Sequence, residues 1–241
     1  MNKNITVFKD PQELADQVSG WIMDQIAKST GSRFDLAISG GSTPNLLFSA
    51  LASKYADSSL WQKTHFWWVD ERMVAPLDPE SNFGTAQKLL FSKIALPEKN
   101  IHRIKGESDP LQEAENYSQK IIEALKIVNG WPAFDLILLG MGDDGHTASI
   151  FPNQTELLMS DHLCEIAYHP LTNQVRITLT GSVINNAALI CFVVTGAGKT
   201  ERLSEIFSKD ENSEQLPAAQ IKAVNGELLW FLDKQAAGFL S

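Results

Sequence analysis

Three short segments, residues 36–38, 136–139 and 189–194, are apolar at every position rather than at alternate ones. A strand with one face in water alternates apolar and polar side chains. A strand covered on both faces does not, which is the mark of a parallel sheet lying between two layers of helix. Further strand candidates at 6–8, 65–69, 164–168, 175–179 and 228–231 are separated by helical patterns. Asp10-Pro11 joins an N-cap to a proline at the first helical position, with Glu13 three residues after the cap. Leu14, Val18, Trp21, Ile22 and Ile26 then form one apolar stripe. Asp109-Pro110 repeats the device ahead of Leu111, Ala114, Tyr117, Ile121 and Leu125. Other helices are expected to start near Pro44, Asn82 and Lys199. No linker stands out, since the loop-like stretches at 74–82 and 208–217 are short. The expectation is an α/β fold: one doubly wound, Rossmann-like domain over residues 1–241 with a mostly parallel sheet. In such sheets ligands bind outside the carboxyl ends of the strands.

Composition narrows the partners. The chain has 241 residues, 44% of them apolar, enough to bury roughly 70–75% of the surface its unfolded form exposes. It carries 20 basic and 29 acidic residues, a net charge of −9, with no long run of one sign. Nucleic acid and anionic membrane surfaces repel such a chain, so neither is an expected partner. The longest apolar run, 187–194, is far too short to span a bilayer, and residues 1–4 contain no apolar signal core. Cys164 and Cys191 are too few for a disulfide framework and lack metal-ligand spacing. They read as two buried thiols in a reducing compartment, and the expected location is the cytoplasm.

Four segments carry chemistry. Ser39-Gly40-Gly41-Ser42-Thr43-Pro44 follows the strand ending at Ile38. It reads either as a phosphate cradle, with amides and hydroxyls of Gly41, Ser42 and Thr43 at a helix N-terminus, or as an ordinary strand–helix turn. Val69-Asp70-Glu71-Arg72 ends an aromatic strand. Its Arg72 can grip a phosphate, oriented by Asp70 or Glu71, or the segment is a solvated turn; Ser81-Asn82 can cap the next helix.

Gly140-Met141-Gly142-Asp143-Asp144-Gly145-His146 formally matches a dinucleotide fingerprint. That reading fails because Asp143 and Asp144 put negative charge where pyrophosphate would sit, and because Pro152 arrives too soon for a long helix. What remains is a glycine-rich bend presenting Asp144 and His146 side by side, a carboxylate able to orient an imidazole that exchanges protons near neutral pH. Thr195-Gly196-Ala197-Gly198-Lys199-Thr200 resembles the tail of a nucleotide P-loop, but Val193 occupies the position of its first glycine. Lys199 can still meet a phosphate as a point charge. Arg176, between apolar neighbours, needs either an acidic partner or an anionic ligand. The other histidines, His65, His102, His162 and His169, read as structural or surface residues. Ser39 and Ser42 lack the surroundings of a nucleophile elbow.

Together, in order and spacing, these segments resemble the 6-phosphogluconolactonase family over about residues 5–233. The Gly140-Met141-Gly142-x-Asp144-Gly145-His146-Thr147-Ala148-Ser149 block with Phe151-Pro152 is the most specific element. The superfamily also holds glucosamine-6-phosphate deaminase, whose pattern has tyrosine where this chain has Arg72 and follows its Asp-Gly-His with an Asn-Glu pair, in the stretch that here reads Thr147-Ala148-Ser149-Ile150-Phe151-Pro152 with no acid. The missing acid favours the lactonase. The resemblance implies hydrolysis of a phosphorylated sugar lactone within the pentose phosphate pathway. His146 would act as base on water and Asp144 would orient it. Arg72, Lys199 and the Gly41, Ser42 and Thr43 loop would hold the phosphate, with Arg176 touching phosphate or polarising the carbonyl. No cofactor and no metal is expected. A glucosamine-6-phosphate deaminase and an inactive sugar-phosphate sensor are the competing readings.

Overall fold

The computed structural model describes residues 4–209 and 211–240; most of the N-terminal stretch just discussed, residues 1–3, lies outside the described residues. Along the chain run β1 (Ile5–Phe8), α1 (Pro11–Lys28), β2 (Phe34–Ile38), α2 (Ser42–Tyr55), β3 (Thr64–Trp68), β4 (Asp70–Arg72), α3 (Asn82–Leu89), β5 (Ile101–His102), α4 (Pro110–Ala124), β6 (Lys126–Val128), β7 (Trp131–Ala133), β8 (Leu136–Leu139), β9 (Cys164–Tyr168), β10 (Val175–Leu179), α5 (Gly181–Asn185), β11 (Leu189–Val194), α6 (Thr200–Ser208), α7 (Pro217–Gln220) and β12 (Glu227–Asp233).

Seven strands form one sheet in the order β1-β12-β11-β8-β2-β3-β5, with every neighbouring pair parallel. β2 and β8 are fully buried and β11 nearly so, as their lack of alternation requires. From β2 the chain winds outward through β3 to β5. From β8 it winds the other way through β11 to β12. The reversal lies between β2 and β8, and the crevice at their carboxyl ends is where this architecture places ligands.

The helices start where their caps dictate. Asp10 Oδ1 accepts the amide of Glu13 at 2.9 Å, and Asp109 Oδ1 that of Gln112 at 3.0 Å. Leu14, Val18, Ile22 and Ile26 face the core from α1, and Ala114, Tyr117 and Ile121 from α4. The helix expected near Pro44 begins two residues earlier, at Ser42. The one expected near Lys199 begins at Thr200, after a 3₁₀ turn over Ala197–Lys199. Among the described residues, no helix is long and apolar enough to cross a membrane. Both cysteines are free and buried; burial pushes the Cys164 thiol up to about 12 and holds the Cys191 thiol well above its usual value.

Two expectations need correction. The charged triplet after β3 is not a turn. Asp70–Arg72 is a strand in its own right, the edge of a second, antiparallel sheet of order β4-β10-β9. The strands at 164–168 and 175–179 belong to this second sheet, not to the parallel one. Val69, fully buried, is the joint. Its amide bonds to Ile38 O at 3.0 Å in the parallel sheet, and its carbonyl accepts Leu179 N at 2.7 Å beside the antiparallel one. The hairpin β6–β7 carries no alternating apolar signal and was not anticipated.

Candidate active site

The crevice holds a cavity of about 220 Å³ lined from six directions: Ser39 to Pro44 after β2, Asp70 and Arg72 on β4, Asn82 at the start of α3, Gly140 to Gly142 with His146 and Ala148 after β8, Arg176 on β10, and Thr195 with Lys199 after β11. Gly41, Ser42, Thr43, Arg72, His146, Arg176 and Lys199 therefore share one cavity although they span nearly 160 positions of sequence. Asp144 stands behind His146.

After β2, Gly41 adopts φ +119°, a backbone state that side chains resist, and the chain turns directly into α2. The N-terminus of α2 has no side-chain cap, so its first amides remain available beside the cavity. Thr43 Oγ1 lies 2.7 Å from Thr195 Oγ1, which joins the loops after β2 and β11.

After β8, Asp144 Oδ1 lies 2.6 Å from His146 Nδ1 and also accepts the His146 amide at 3.1 Å. The bend is close enough that a Cβ on Gly142 would stand 2.1 Å from Nδ1, so only glycine lets the ring fold back across the chain. Burial works to raise the Asp144 carboxyl. The hydrogen bonds and charge of His146 outweigh it and hold the acid at about 2. With Nδ1 engaged, Nε2 is the nitrogen left for chemistry. Beneath the imidazole lies the buried Phe151, 4.7 Å between ring centres.

The second sheet brings Arg72 and Arg176 opposite each other, as direct cross-strand partners. Like charges at such a position repel. Neither arginine has a carboxylate within 4.0 Å among the described residues. Arg72 Nη1 donates to the carbonyl of Glu80 at 2.8 Å, while its buried Nε–H has no partner. Arg176, 8% exposed, donates from Nε to Gln174 Oε1 at 3.3 Å and from Nη1 to Ser149 Oγ at 3.4 Å. Its guanidinium lies over Phe151 at 5.6 Å. Burial pulls the Arg176 pKa below an arginine's usual value; Asp70 opposes this and Arg72 adds to it. Two guanidinium groups, one buried and one half-buried, with only neutral partners make a setting that suits an anion.

The acids of the triplet act differently from expectation. Neither orients the Arg72 guanidinium. The Glu71 carboxylate accepts the amides of Arg72, Asn82 and Phe83 at 2.7–2.8 Å, so it secures the start of α3, and burial pushes its pKa up. Asp70 accepts Ser149 Oγ at 2.7 Å and so anchors the histidine loop to the second sheet, helped by a bond from Ser149 N to Thr178 Oγ1. Lys199 differs from both arginines. Its Nζ lies 2.5 Å from Asp143 Oδ1.

Sequence reasoning missed Asn82, Ser149 and Thr195. Asn82 was visible only as part of a helix start, yet its side chain fills the space where a Cβ of Gly40 would be and donates to Asp70 O at 3.0 Å. Ser149 and Thr195 lay inside the singled-out segments without a distinguishing signal. Among the described residues no group of three or more His, Cys, Asp or Glu is placed to hold a metal ion.

Known proteins share this fold. The family described as glucosamine-6-phosphate isomerases/6-phosphogluconolactonase matches residues 9–230. A 6-phosphogluconolactonase of Aggregatibacter actinomycetemcomitans is 48% identical over 206 residues, 85% of this chain and 87% of that one. One from Synechocystis sp. is 38% identical over 98% of both chains. The crystal structure of a devB protein superposes with a TM-score of 0.91 at 43% identity, covering 99% of each chain. With the family matched over nearly its whole length and relatives this similar, the chain belongs to the glucosamine-6-phosphate isomerase/6-phosphogluconolactonase family.

Proposed function

We propose that the protein is a 6-phosphogluconolactonase, a carboxylic ester hydrolase that converts 6-phospho-D-glucono-1,5-lactone and water to 6-phospho-D-gluconate in the oxidative pentose phosphate pathway. The observation that carries this reading is the Asp144–His146 pair opening onto a cavity whose two arginines have no carboxylate of their own. Water is the nucleophile. His146 Nε2 takes its proton as the oxygen attacks C1, and returns a proton to the ring oxygen as the C1–O bond breaks. Asp144 holds the imidazole through Nδ1–H and stabilises its cation. Arg72 and Lys199, with the amides and hydroxyls of Gly41, Ser42 and Thr43, grip the phosphate; Arg176 touches the phosphate or polarises the carbonyl. Fixing the phosphate fixes C1 relative to the base, which makes the attack effectively intramolecular.

The segment after His146, Thr147 to Pro152, contains no acid, so the glutamate expected of a glucosamine-6-phosphate deaminase is missing. The protein acts as one cytoplasmic domain on a small-molecule substrate. The reading requires neither nucleic acid, membrane, metal nor organic cofactor.

The test is decay of the phosphorylated lactone with and without protein, corrected for spontaneous hydrolysis. Acceleration that disappears in His146→Ala supports the reading. Decay at the background rate, together with a thermal shift by 6-phosphogluconate, would leave only a sugar-phosphate sensor. Ammonia release from glucosamine 6-phosphate would replace the reading by the deaminase.

A further inference from the structure

Asp143 and Asp144 are neighbours in sequence with opposite orientations. Asp144 turns to His146. Asp143 turns to the 3₁₀ turn after β11, where its Oδ1 lies 2.5 Å from Lys199 Nζ. The carboxylate rests against that turn: a Cβ on Gly198 would stand 3.1 Å from Oδ1. Lys199 lines the cavity and its side chain is 21% exposed, whereas Asp143 is 76% exposed and lies outside the lining. Of the three cations at the cavity, Lys199 is the one that carries a carboxylate. The partners of Arg72 and Arg176 are a carbonyl, an amide and a hydroxyl.

The difference matters for this reaction. The phosphate is untouched by the chemistry, so its grip is felt equally by substrate, transition state and product. Hydrolysis turns a neutral ester into a carboxylate, so the product leaves with one more negative charge than the substrate brought. Three unopposed cations would retain it. We propose that Asp143 is a positioning residue that competes with the substrate's phosphate for the Lys199 ammonium, weakening the hold on phosphorylated substrate and product alike and so favouring product release. The proposal rests on the reading of Lys199 as a phosphate ligand.

The experiment compares wild type, Asp143→Asn, Lys199→Met and the double variant. It measures kcat and KM for the phosphorylated lactone, KM for unphosphorylated gluconolactone, and inhibition constants for 6-phosphogluconate and inorganic phosphate. Asp143→Asn is expected to lower KM for the phosphorylated lactone and both inhibition constants by about 2- to 5-fold, the range of an exposed ion pair. It should not raise kcat, and should leave the unphosphorylated substrate unchanged. Asp143→Ser should shift the constants in the same direction, and neither change should matter in the Lys199→Met background. Loss of folding cannot mimic tighter binding. Unchanged or higher constants in Asp143→Asn, with weaker binding in Lys199→Met, overturn the proposal and leave the phosphate site standing. An equal effect of Asp143→Asn with and without Lys199 overturns it by showing that Asp143 acts on the anion directly. Unchanged constants in Lys199→Met remove Lys199 from the phosphate site, and the proposal with it.

Discussion

Histidines pair at both ends of the parallel sheet, and the two pairs have opposite characters. At the carboxyl end, His146 hydrogen-bonds to the partly exposed Asp144 and presents its other nitrogen to the cavity. Toward the amino end of β3, His65 Nδ1 lies 2.9 Å from His102 Nε2, and the two rings stack 5.2 Å apart. His102 stacks in turn on Trp67 at 4.0 Å, and the Trp67 indole donates to Asp35, which also holds Arg33. Burial, with Arg33 adding to it, pulls both imidazoles below their usual value, His102 to about 4. A histidine facing another histidine gains nothing by taking a proton, because the second ring has no charge to offer. A histidine facing a carboxylate gains a counter-ion. The same side chain is packing material at one end of the sheet and, under the proposed mechanism, a proton carrier at the other.

Removing the acid-backed member should have the largest effect. His146→Ala is expected to lower kcat at least ~10²-fold with little change in Tm, since it removes a base rather than core; near-normal turnover would end the comparison. Asp144→Asn keeps a hydrogen-bond acceptor and removes only the charge. It should lower kcat by at least ~10-fold in steady-state assays, with KM nearly unchanged. Arg72→Ala should raise KM for the phosphorylated lactone by about 10-fold or more, the worth of charge-assisted hydrogen bonds, and leave unphosphorylated gluconolactone little affected. Equal effects on both substrates would take Arg72 out of the phosphate site.

The smallest effect belongs to the other pair and appears in stability rather than rate. His102 is neutral in the fold down to about pH 4, whereas the unfolded chain takes up its proton near 6.5. Between those values the unfolded state binds more protons, so stability falls as pH drops through this window. His102→Phe, which keeps the stacking on Trp67, should flatten that part of a Tm-against-pH curve and leave kcat at pH 7 unchanged. An identical slope in wild type and variant would show that the pair does not titrate as argued.

The fold was legible wherever a local pattern carried it. The strands at 136–139, 164–168, 175–179 and 189–194 have the expected bounds, because runs of apolar or β-branched residues bounded by turn residues are local signals. Asp70–Arg72 was not legible as a strand. Three charged residues resemble a turn until β10 arrives from a hundred residues away to pair with them. The site follows the same division. Glycines and hydroxyls after a strand, and an acid beside a histidine, announce themselves. Ser149 bonding Asp70 across 79 positions, or Thr43 meeting Thr195 across 152, depends on where the sheets bring loops together. The His65–His102 contact, 37 positions apart, was hidden for the same reason.

Val69 has a consequence for selectivity. One peptide unit of this buried residue is bonded to the parallel sheet and the next to the antiparallel one, so the chain passes between the sheets within one residue, and the Ser149–Asp70 bond ties them again across the cavity. The loop bearing His146 grows from the first sheet, and Arg72 and Arg176 stand on the second. Under the proposed mechanism, the gap between His146 and the two arginines then works as a gauge. In that mechanism a phosphosugar of another length meets one side of the cavity and misses the other, so backbone bonds that never touch the sugar help to select it.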